Sequence, residues 1–320
     1  MSLLRKNKNI FVAGHNGMVG SAIVRALNEQ KGFNLITKSR NQLDLTNQDL
    51  TYEFIHNENI DIIINAAAKV GGIVANNSYP YDFIMDNLKI QNNLIDAAVK
   101  NKISKFIFLG SSCIYPKYAP QPIKEEYLLT DSLEPTNQWY AIAKISGIMA
   151  CIAAKKQFGM NAVSLMPTNL YGPLDNFDLH TSHVLPAMIR KFHEAKILNS
   201  DVELWGSGSP FREFLFVDDL ASAVLLALTK NLKDDIYNVG FGTDMSIRDL
   251  AELVQNIIGH KGEIIWDKTK PDGTPKKLMD SSKLNSLGWK PKTQIREGIK
   301  VTYEWYMNTL KKNKSVKGHI

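Results

Sequence analysis

Cysteine and long apolar runs are scarce in this chain of 320 residues. Its two cysteines, Cys113 and Cys151, cannot supply a disulfide scaffold, and this predicts a cytoplasmic protein. No stretch approaches the roughly 20 apolar residues of a membrane span. The early apolar run at 10–14 is too short for a signal-peptide core and predicts a strand.

The chain also has no excess of positive charge once the basic residues at its two ends are set aside. Removing the seven terminal cations from the net charge of +6 leaves about −1 for the body. We therefore expect solvated basic ends and no nucleic-acid partner. The seven are Arg5, Lys6, Lys8, Lys311, Lys312, Lys314 and Lys317.

Two catalytic patterns are missing as well. No serine stands in a Gly-x-Ser-x-Gly elbow, which argues against a hydrolase of that type. The seven histidines show no paired spacing suited to a metal, so we expect no metal site.

Short β-branched runs alternate with amphipathic stretches through the first half of the chain. Such alternation predicts an α/β fold of Rossmann type, a doubly wound parallel sheet with helices on both faces. The second half has looser loops and predicts a smaller C-terminal α/β substrate-binding domain. The expected strands are 9–13, 34–37, 61–65, 105–109 and 162–166, and the expected helices 18–29, 49–57, 81–100 and 139–157.

The expected domains follow from this change of pattern. Residues 1–170 and about 213–240 would form the Rossmann-type domain, because 219–229 and 236–239 look like a helix and a strand returning to the sheet. Residues 171–212 and 241–320 would form the substrate-binding domain.

A glycine-rich turn joins the first strand to the first helix. Glycines let backbone N–H groups approach a pyrophosphate at a helix N-terminus, so the turn predicts dinucleotide binding. The spacing is Gly-x-x-Gly-x-x-Gly, and the candidate residues are Gly14, His15, Asn16, Gly17, Met18, Val19 and Gly20.

The end of the second strand carries cations where NAD enzymes usually place an acid. Lys38 and Arg40 suit a 2′-phosphate, which predicts a preference for NADPH over NADH. The alternative is that both side chains lie on a solvated loop.

Tyr140 and Lys144 share one face of a predicted helix, and Ser111 follows a predicted strand. A free tyrosine has a pKa near ~10, and a neighbouring ammonium group would lower it. Ser111 would hold a substrate carbonyl while Tyr140 gives it a proton. The Tyr-x-x-x-Lys pattern alone is common by chance, so the placement of the three residues carries the prediction.

These motifs resemble the extended short-chain dehydrogenases nearly end to end. The resemblance includes Asn65-Ala66-Ala67-Ala68, Asn169-Leu170-Tyr171-Gly172-Pro173 and Arg212 leading to Val217-Asp218-Asp219. Closer signatures, typical of members that act on GDP-linked keto sugars, are Ala68-Lys69-Val70-Gly71-Gly72-Ile73, Ser112-Cys113-Ile114-Tyr115-Pro116, Ser182-His183-Val184 and Lys270-Pro271-Asp272-Gly273-Thr274-Pro275.

The resemblance implies an epimerase–reductase. It would epimerise GDP-4-keto-6-deoxy-D-mannose at carbons 3 and 5 and reduce carbon 4 with NADPH to give GDP-L-fucose. It also implies a homodimer, Lys144 as ribose anchor, and further cofactor contacts at Asp44, Leu109, Gly110, Pro167, Thr168, Asn169, Leu170 and His183. The alternative is a C4-reductase, with or without epimerisation, of another GDP-4-keto sugar such as a heptose or dideoxy-hexose.

The same resemblance assigns the epimerisation pair to Cys113 and His183. Cys113 lies two residues after Ser111 and would face the same pocket, although lone cysteines are usually small buried residues. His180 is a nearby rival for His183, and Cys151 is expected to be a packing residue.

Substrate binding is assigned by resemblance to Lys191, Trp205, Arg212 and Lys277. Cations would hold the diphosphate, and Trp205 would stack on or wall in the guanine or the sugar. Each lysine has a solvated position as its alternative. Lys191 follows Arg190 where the family commonly has a second arginine, which weakens the case for a paired phosphate grip.

Overall fold

The computed structural model describes residues 8–270, 272–312 and 316. Arg5, Lys6, Lys314, Lys317 and Pro271, which the sequence patterns included, lie outside the described residues. Lys8 was expected to lie in a solvated chain end, and this prediction is wrong. Lys8 begins the first strand and forms an ion pair with Asp61. Part of the N-terminal charge is therefore neutralised within the fold.

The first half alternates strands and helices as predicted, and the predicted bounds differ from the observed ones by at most one residue at either end. In chain order the elements are β1 (Lys8–Ala13), α1 (Met18–Asn28), β2 (Phe33–Ile36), α2 (Gln48–Asn57), β3 (Ile62–Asn65), α3 (Ile73–Ser78), α4 (Pro80–Lys100), β4 (Lys105–Leu109), α5 (Gln138–Phe158) and β5 (Ala162–Pro167). Short 3₁₀ turns occupy Ser112–Ile114 and Glu125–Tyr127.

The second half has shorter strands. Its elements are β6 (Asn169–Tyr171), α6 (Val184–Leu198), β7 (Val202–Trp205), β8 (Phe211–Phe216), α7 (Val217–Thr229), β9 (Ile236–Val239), β10 (Asp244–Ser246), α8 (Ile247–Ile258), β11 (Ile264–Asp267), β12 (Lys276–Lys277), α9 (Ser282–Ser286) and α10 (Ile295–Lys311). The helix and strand expected at 219–229 and 236–239 are α7 and β9.

Six strands form a parallel sheet in the order β2-β1-β3-β4-β5-β9. Alternate residues of a strand point to opposite faces, and both faces are buried here. Phe106 and Phe108 of β4 pack with α2, α4 and α5, whereas Ile107 and Leu109 pack with α1 and α7. The predicted Rossmann-type fold class is confirmed.

The strands of the second half other than β9 form two smaller sheets. β8 pairs with β6, β10 and β12, and β7 pairs with β11. A third apolar core lies under α6, α8 and α10, built around Phe177, Phe192 and Tyr306. The domain bounds given above stay a prediction.

Candidate active site

The glycine turn leaves the N-terminus of α1 open to a ligand. Gly17 is the N-cap and supplies no side-chain hydrogen bond, and the first turn contains no acidic residue. Gly14 has φ +81°, and a Cβ atom there would lie 2.7 Å from Ala67 N. A Cβ atom at Gly20 would lie 2.1 Å from Gly14 O. Both positions therefore require glycine, and the uncapped N–H groups suit a pyrophosphate.

His15 in the same turn adds an unpartnered polar atom. Its Nδ1 atom is buried and has no hydrogen-bond partner among the described residues. Buried polar atoms without partners are uncommon in native structures and point to a missing ligand or water. The turn thus fits a dinucleotide by its glycines, its open helix end and this atom.

The two cations after β2 differ in their surroundings. Lys38 Nζ lies 3.4 Å from Glu58 Oε1 and 5.6 Å from the centre of the Phe54 ring. Arg40 is exposed. Asp44 accepts hydrogen bonds from Thr46, which hold the pKa of its carboxyl below the usual value. Arg40 is therefore the better placed cation for a 2′-phosphate.

The expected residues at the carboxyl ends of β4 and β5 lie at one edge of the sheet. Leu109 O accepts a hydrogen bond of 2.9 Å from Lys144 Nζ. The side chains of Thr168 and Asn169 bind Glu213 O at 3.3 and 2.8 Å, respectively. Any cofactor contact of these two residues would therefore be made by the backbone or by a second hydrogen bond.

Tyr140 lies beside Ser111, as the spacing predicted. A hydrogen bond with Ser111 lowers the pKa of the Tyr140 phenol, but burial and the nearby Cys113 raise it more. Burial also lowers the pKa of Lys144 to about 8. Lys144 Nζ lies 5.8 Å from the centre of the Tyr140 ring and donates to Leu109 O. In the protein by itself, burial therefore outweighs the expected ammonium effect on Tyr140.

Cys113 Sγ lies in a polar setting. Asn137 Nδ2 is 3.6 Å from the sulfur, and Lys277 Nζ is 3.7 Å from it. Arg212 also interacts with the thiol electrostatically. The other cysteine, Cys151, is buried on α5, where burial raises its pKa to about 12. The two cysteines thus have the contrasting surroundings that the sequence predicted.

Two residues at the site were missed by the sequence patterns. Asn137, at the thiol, stands three positions before Tyr140 at the start of α5, and that spacing was a usable signal. Glu213 is fully buried, and its carboxylate accepts hydrogen bonds from the N–H groups of Gly242 and Met279. Burial raises the pKa of Glu213 to about 7. No local pattern indicates such long-range partners.

His183 is the N-cap residue of α6, directly after a loop that contacts the N-terminus of α3. Gly72 N donates to Thr181 O at 2.8 Å, and a Cβ atom at Gly72 would lie 2.3 Å from Ser182 O. The rival His180 is exposed in the same loop. The pairing of His183 with Cys113 stays a prediction.

Two lysines lie over the exposed indole of Trp205. Lys191 Nζ and Lys270 Nζ are 5.8 and 5.7 Å from the ring centre. Lys191 also donates to Glu203 O at 2.8 Å. Arg212 lies on β8 opposite Lys277 of β12. Lys277 Nζ lies 3.7 Å from the Cys113 sulfur, and its expected contact with the diphosphate stays a prediction.

Two structural features are absent from the described part of the chain. No helix there is long and apolar enough to cross a bilayer. Among the same residues, no three His, Cys, Asp or Glu side chains form a group that would hold a metal ion.

The chain belongs to the NAD dependent epimerase/dehydratase family, whose model matches residues 10–240. It is 56% identical over 310 residues to GDP-L-fucose synthase 1 of Arabidopsis thaliana, covering 97% of this chain and 96% of the relative. The resemblance to extended short-chain dehydrogenases that act on GDP sugars is thereby confirmed.

Two solved structures share the fold over nearly the full length. A GDP-6-OMe-4-keto-L-xylo-heptose reductase from C. jejuni superposes with a TM-score of 0.89 at 36% identity, covering 95% of this chain and 98% of that one. A GDP-L-fucose synthetase from Naegleria fowleri bound to NADP has a TM-score of 0.88 at 26% identity, with 96% of each chain covered.

Proposed function

We propose that this chain is an NADPH-dependent enzyme that epimerises GDP-4-keto-6-deoxy-D-mannose at carbons 3 and 5 and reduces carbon 4, giving GDP-L-fucose. The observation that carries the proposal is the position of the Cys113 thiol beside the Tyr140 and Ser111 hydroxyls, with Lys277 and Asn137 at the sulfur. The identity with a GDP-L-fucose synthase supports the choice of sugar.

Epimerisation needs a base on one side of the sugar ring and an acid on the other. The carbon-4 ketone acidifies the protons on carbons 3 and 5. Cys113 as thiolate removes such a proton, and the electron pair moves to the ketone oxygen, which Ser111 and Tyr140 stabilise by hydrogen bonds. His183 returns a proton from the opposite side.

Reduction uses the same oxygen. When bound at the glycine turn, NADPH supplies the hydride for carbon 4. Tyr140 then gives its proton to the ketone oxygen, and Ser111 holds that oxygen in place. Lys144 anchors the cofactor ribose, and with a cofactor in place its ammonium group favours proton loss from Tyr140.

The GDP part of the substrate is assigned to the second half of the chain. Arg212 and Lys191 hold the diphosphate, and Trp205 contacts the base or the sugar. On the cofactor side, Arg40 holds the 2′-phosphate. We also propose that the protein is a cytoplasmic homodimer; Ile142 and Met149 of α5 are exposed apolar residues suited to a subunit contact.

The test is turnover in deuterated water with GDP-4-keto-6-deoxy-D-mannose and NADPH, followed by NMR of the product. We expect solvent deuterium at both carbons 3 and 5. A Cys113→Ser variant is the control, and should lose most of this exchange. A product without deuterium at either carbon would show a simple reductase.

The second candidate is a C4-reductase of another GDP-4-keto sugar, such as a heptose. It is favoured by the superposition on the C. jejuni heptose reductase. NADPH oxidation with a panel of GDP-4-keto sugars separates the two. The preferred function fails if a heptose is reduced faster than the 6-deoxy sugar.

A further inference from the structure

We propose that Lys277 is a positioning residue for epimerisation, which keeps Cys113 ionised and orients its sulfur, and that it does not bind the substrate diphosphate. The inference rests on the proposed function, because it presumes that Cys113 is the base. Its direct support is the distance of 3.7 Å between Lys277 Nζ and Cys113 Sγ. Asn137 contacts the same sulfur at 3.6 Å from a different element.

The backbone around Lys277 is fixed by strand pairing and by two hydrogen bonds on its C-terminal side. Lys277 lies on the two-residue strand β12, in parallel register with Arg212 of β8. Leu278 N donates to Gln121 Oε1 at 2.8 Å, and Met279 N donates to the buried Glu213 carboxylate at 3.0 Å. These bonds hold the lysine stem at the cleft, so the ammonium group reaches the thiol without a loop movement.

The neighbouring lysines are engaged elsewhere. Lys276, on the same strand, lies 3.3 Å from Asp244 and over the Phe211 ring. Lys117 lies 4.0 Å from Glu134. Lys276, Lys117 and Glu134 line the small cavity beside the thiol together with Lys277.

Arg212 and two tyrosines are further titratable groups near the sulfur. Arg212 interacts with the thiol, but its guanidinium is bound to Phe211 O and burial lowers its pKa. Tyr115 donates to Asn238, and the pKa of the nearby Tyr140 is raised chiefly by burial. Among these three lysines and Arg212, Lys277 is therefore the one with a hydrogen-bond contact to the sulfur atom.

An ammonium group at this place has a clear effect on the reaction. The thiolate is the form that removes a proton, and a cation at hydrogen-bond distance favours it. As the thiolate takes the proton from the sugar carbon, the sulfur becomes a neutral thiol and the negative charge moves to the ketone oxygen. Lys277 thus stabilises the sulfur before the transfer and acts only through Cys113.

The test measures the thiol directly. Full-length protein is labelled with iodoacetamide at pH 7 and at pH 9.5, and the rate at Cys113 is followed by mass spectrometry of its peptide. Cys151 is 2% exposed and serves as an unlabelled internal reference. We expect Lys277→Met to slow labelling about fivefold or more at pH 7 and less than about twofold at pH 9.5, because free cysteine thiols, with a pKa near ~8.5, are mostly ionised at the higher pH.

Two matched variants complete the design. Lys277→Arg keeps the charge and should label like the natural protein. Lys276→Met removes a cation from the same strand without touching the thiol, and should also label like it. In turnover assays we expect Lys277→Met to lower kcat for deuterium exchange about tenfold, with KM for the GDP sugar within about threefold.

Three results would overturn the proposal. One is labelling of Lys277→Met at the natural rate at pH 7. Another is an equal loss at both pH values, which would indicate blocked access. The third is a tenfold rise in KM with kcat and labelling unchanged, which would indicate that Lys277 binds the substrate diphosphate. If the natural protein does not turn over the sugar, the proposed function fails, but the labelling comparison still decides the role of Lys277.

Discussion

The residues proposed for reduction and those proposed for epimerisation are brought together over very different distances along the chain. The hydrogen bond of Lys144 to Leu109 joins residues 35 positions apart. These residues lie in β4 and α5, a strand and a helix of the first half. The contact of Lys277 with Cys113 joins residues 164 positions apart. The carboxyl ends of parallel strands always lie at one edge of their sheet. The contact of Lys277 with Cys113 also requires β12 to pair with β8.

This difference shows how a second activity can be added to a reductase site. Ser111, Tyr140 and Lys144 depend on the sheet and on α5. The setting of Cys113 depends on a strand from the second half, fixed by the buried Glu213. Substitutions around β12 should therefore affect epimerisation more than reduction, whereas those at the glycine turn should affect cofactor binding. Cys113 itself lies in the first half but belongs with the residues proposed for epimerisation.

The largest effect that tests this separation is expected for Tyr140→Phe. Loss of the proton donor should lower kcat for ketone reduction about 1000-fold, because general acid catalysis contributes on the order of 10²–10⁴. NADPH affinity, measured by fluorescence titration, should stay within about twofold. Tyr118→Phe is the matched control, since Tyr118 is 72% exposed. Undiminished reduction by Tyr140→Phe would show that Tyr140 is not the proton donor.

A smaller effect is expected at the cofactor 2′-phosphate. Arg40→Ala should weaken NADPH binding about ten- to 150-fold, because a hydrogen bond to a charged group contributes about 1.5–3 kcal/mol. NADH binding should hardly change. Lys38→Ala is the matched comparison and should lose less, since its ammonium group lies 3.4 Å from Glu58.

Isothermal titration with both cofactors measures the two variants side by side. A larger loss for Lys38→Ala than for Arg40→Ala would mean that Lys38 leaves Glu58 when the cofactor binds. Equal losses for NADPH and NADH would contradict the 2′-phosphate assignment altogether.

Local patterns were sufficient for the sheet and for the reductase residues. The hydrophobic alternation and the Gly14–Gly20 turn predicted β1, α1 and the cofactor edge, and the i, i+4 spacing placed Tyr140 and Lys144 on one helix face. These features depend on neighbours in sequence. They are therefore visible in a single chain.

The missed features depend on tertiary packing. Pairing of Lys38 with Glu58 needs the end of α2 to meet the end of β2. The fall in the pKa of Lys144 to about 8 comes from burial under the folded sheet edge. The place of Lys277 needs β12 and β8 to pair, and two adjacent lysines in a sequence give no indication of which one reaches a thiol.

The smallest effect concerns the far end of the substrate. Trp205 is 48% exposed and has the ammonium groups of Lys191 and Lys270 over its ring. An exposed indole next to two cations suits an anionic nucleotide, and an aromatic contact contributes about 0.5–1.5 kcal/mol beyond its area burial. Trp205→Leu should therefore raise KM for the GDP sugar about tenfold, with NADPH affinity and kcat nearly unchanged.

Inhibition by GDP alone shows which part of the substrate Trp205 contacts. If the indole stacks on guanine, the Ki of GDP should rise by the same factor as KM, because the base is common to both ligands. If it walls in the sugar, KM should rise while Ki stays constant. A fall in kcat with KM and Ki unchanged would contradict both contacts. It would group Trp205 with the residues proposed for epimerisation, because its effect would then reach the reacting carbons.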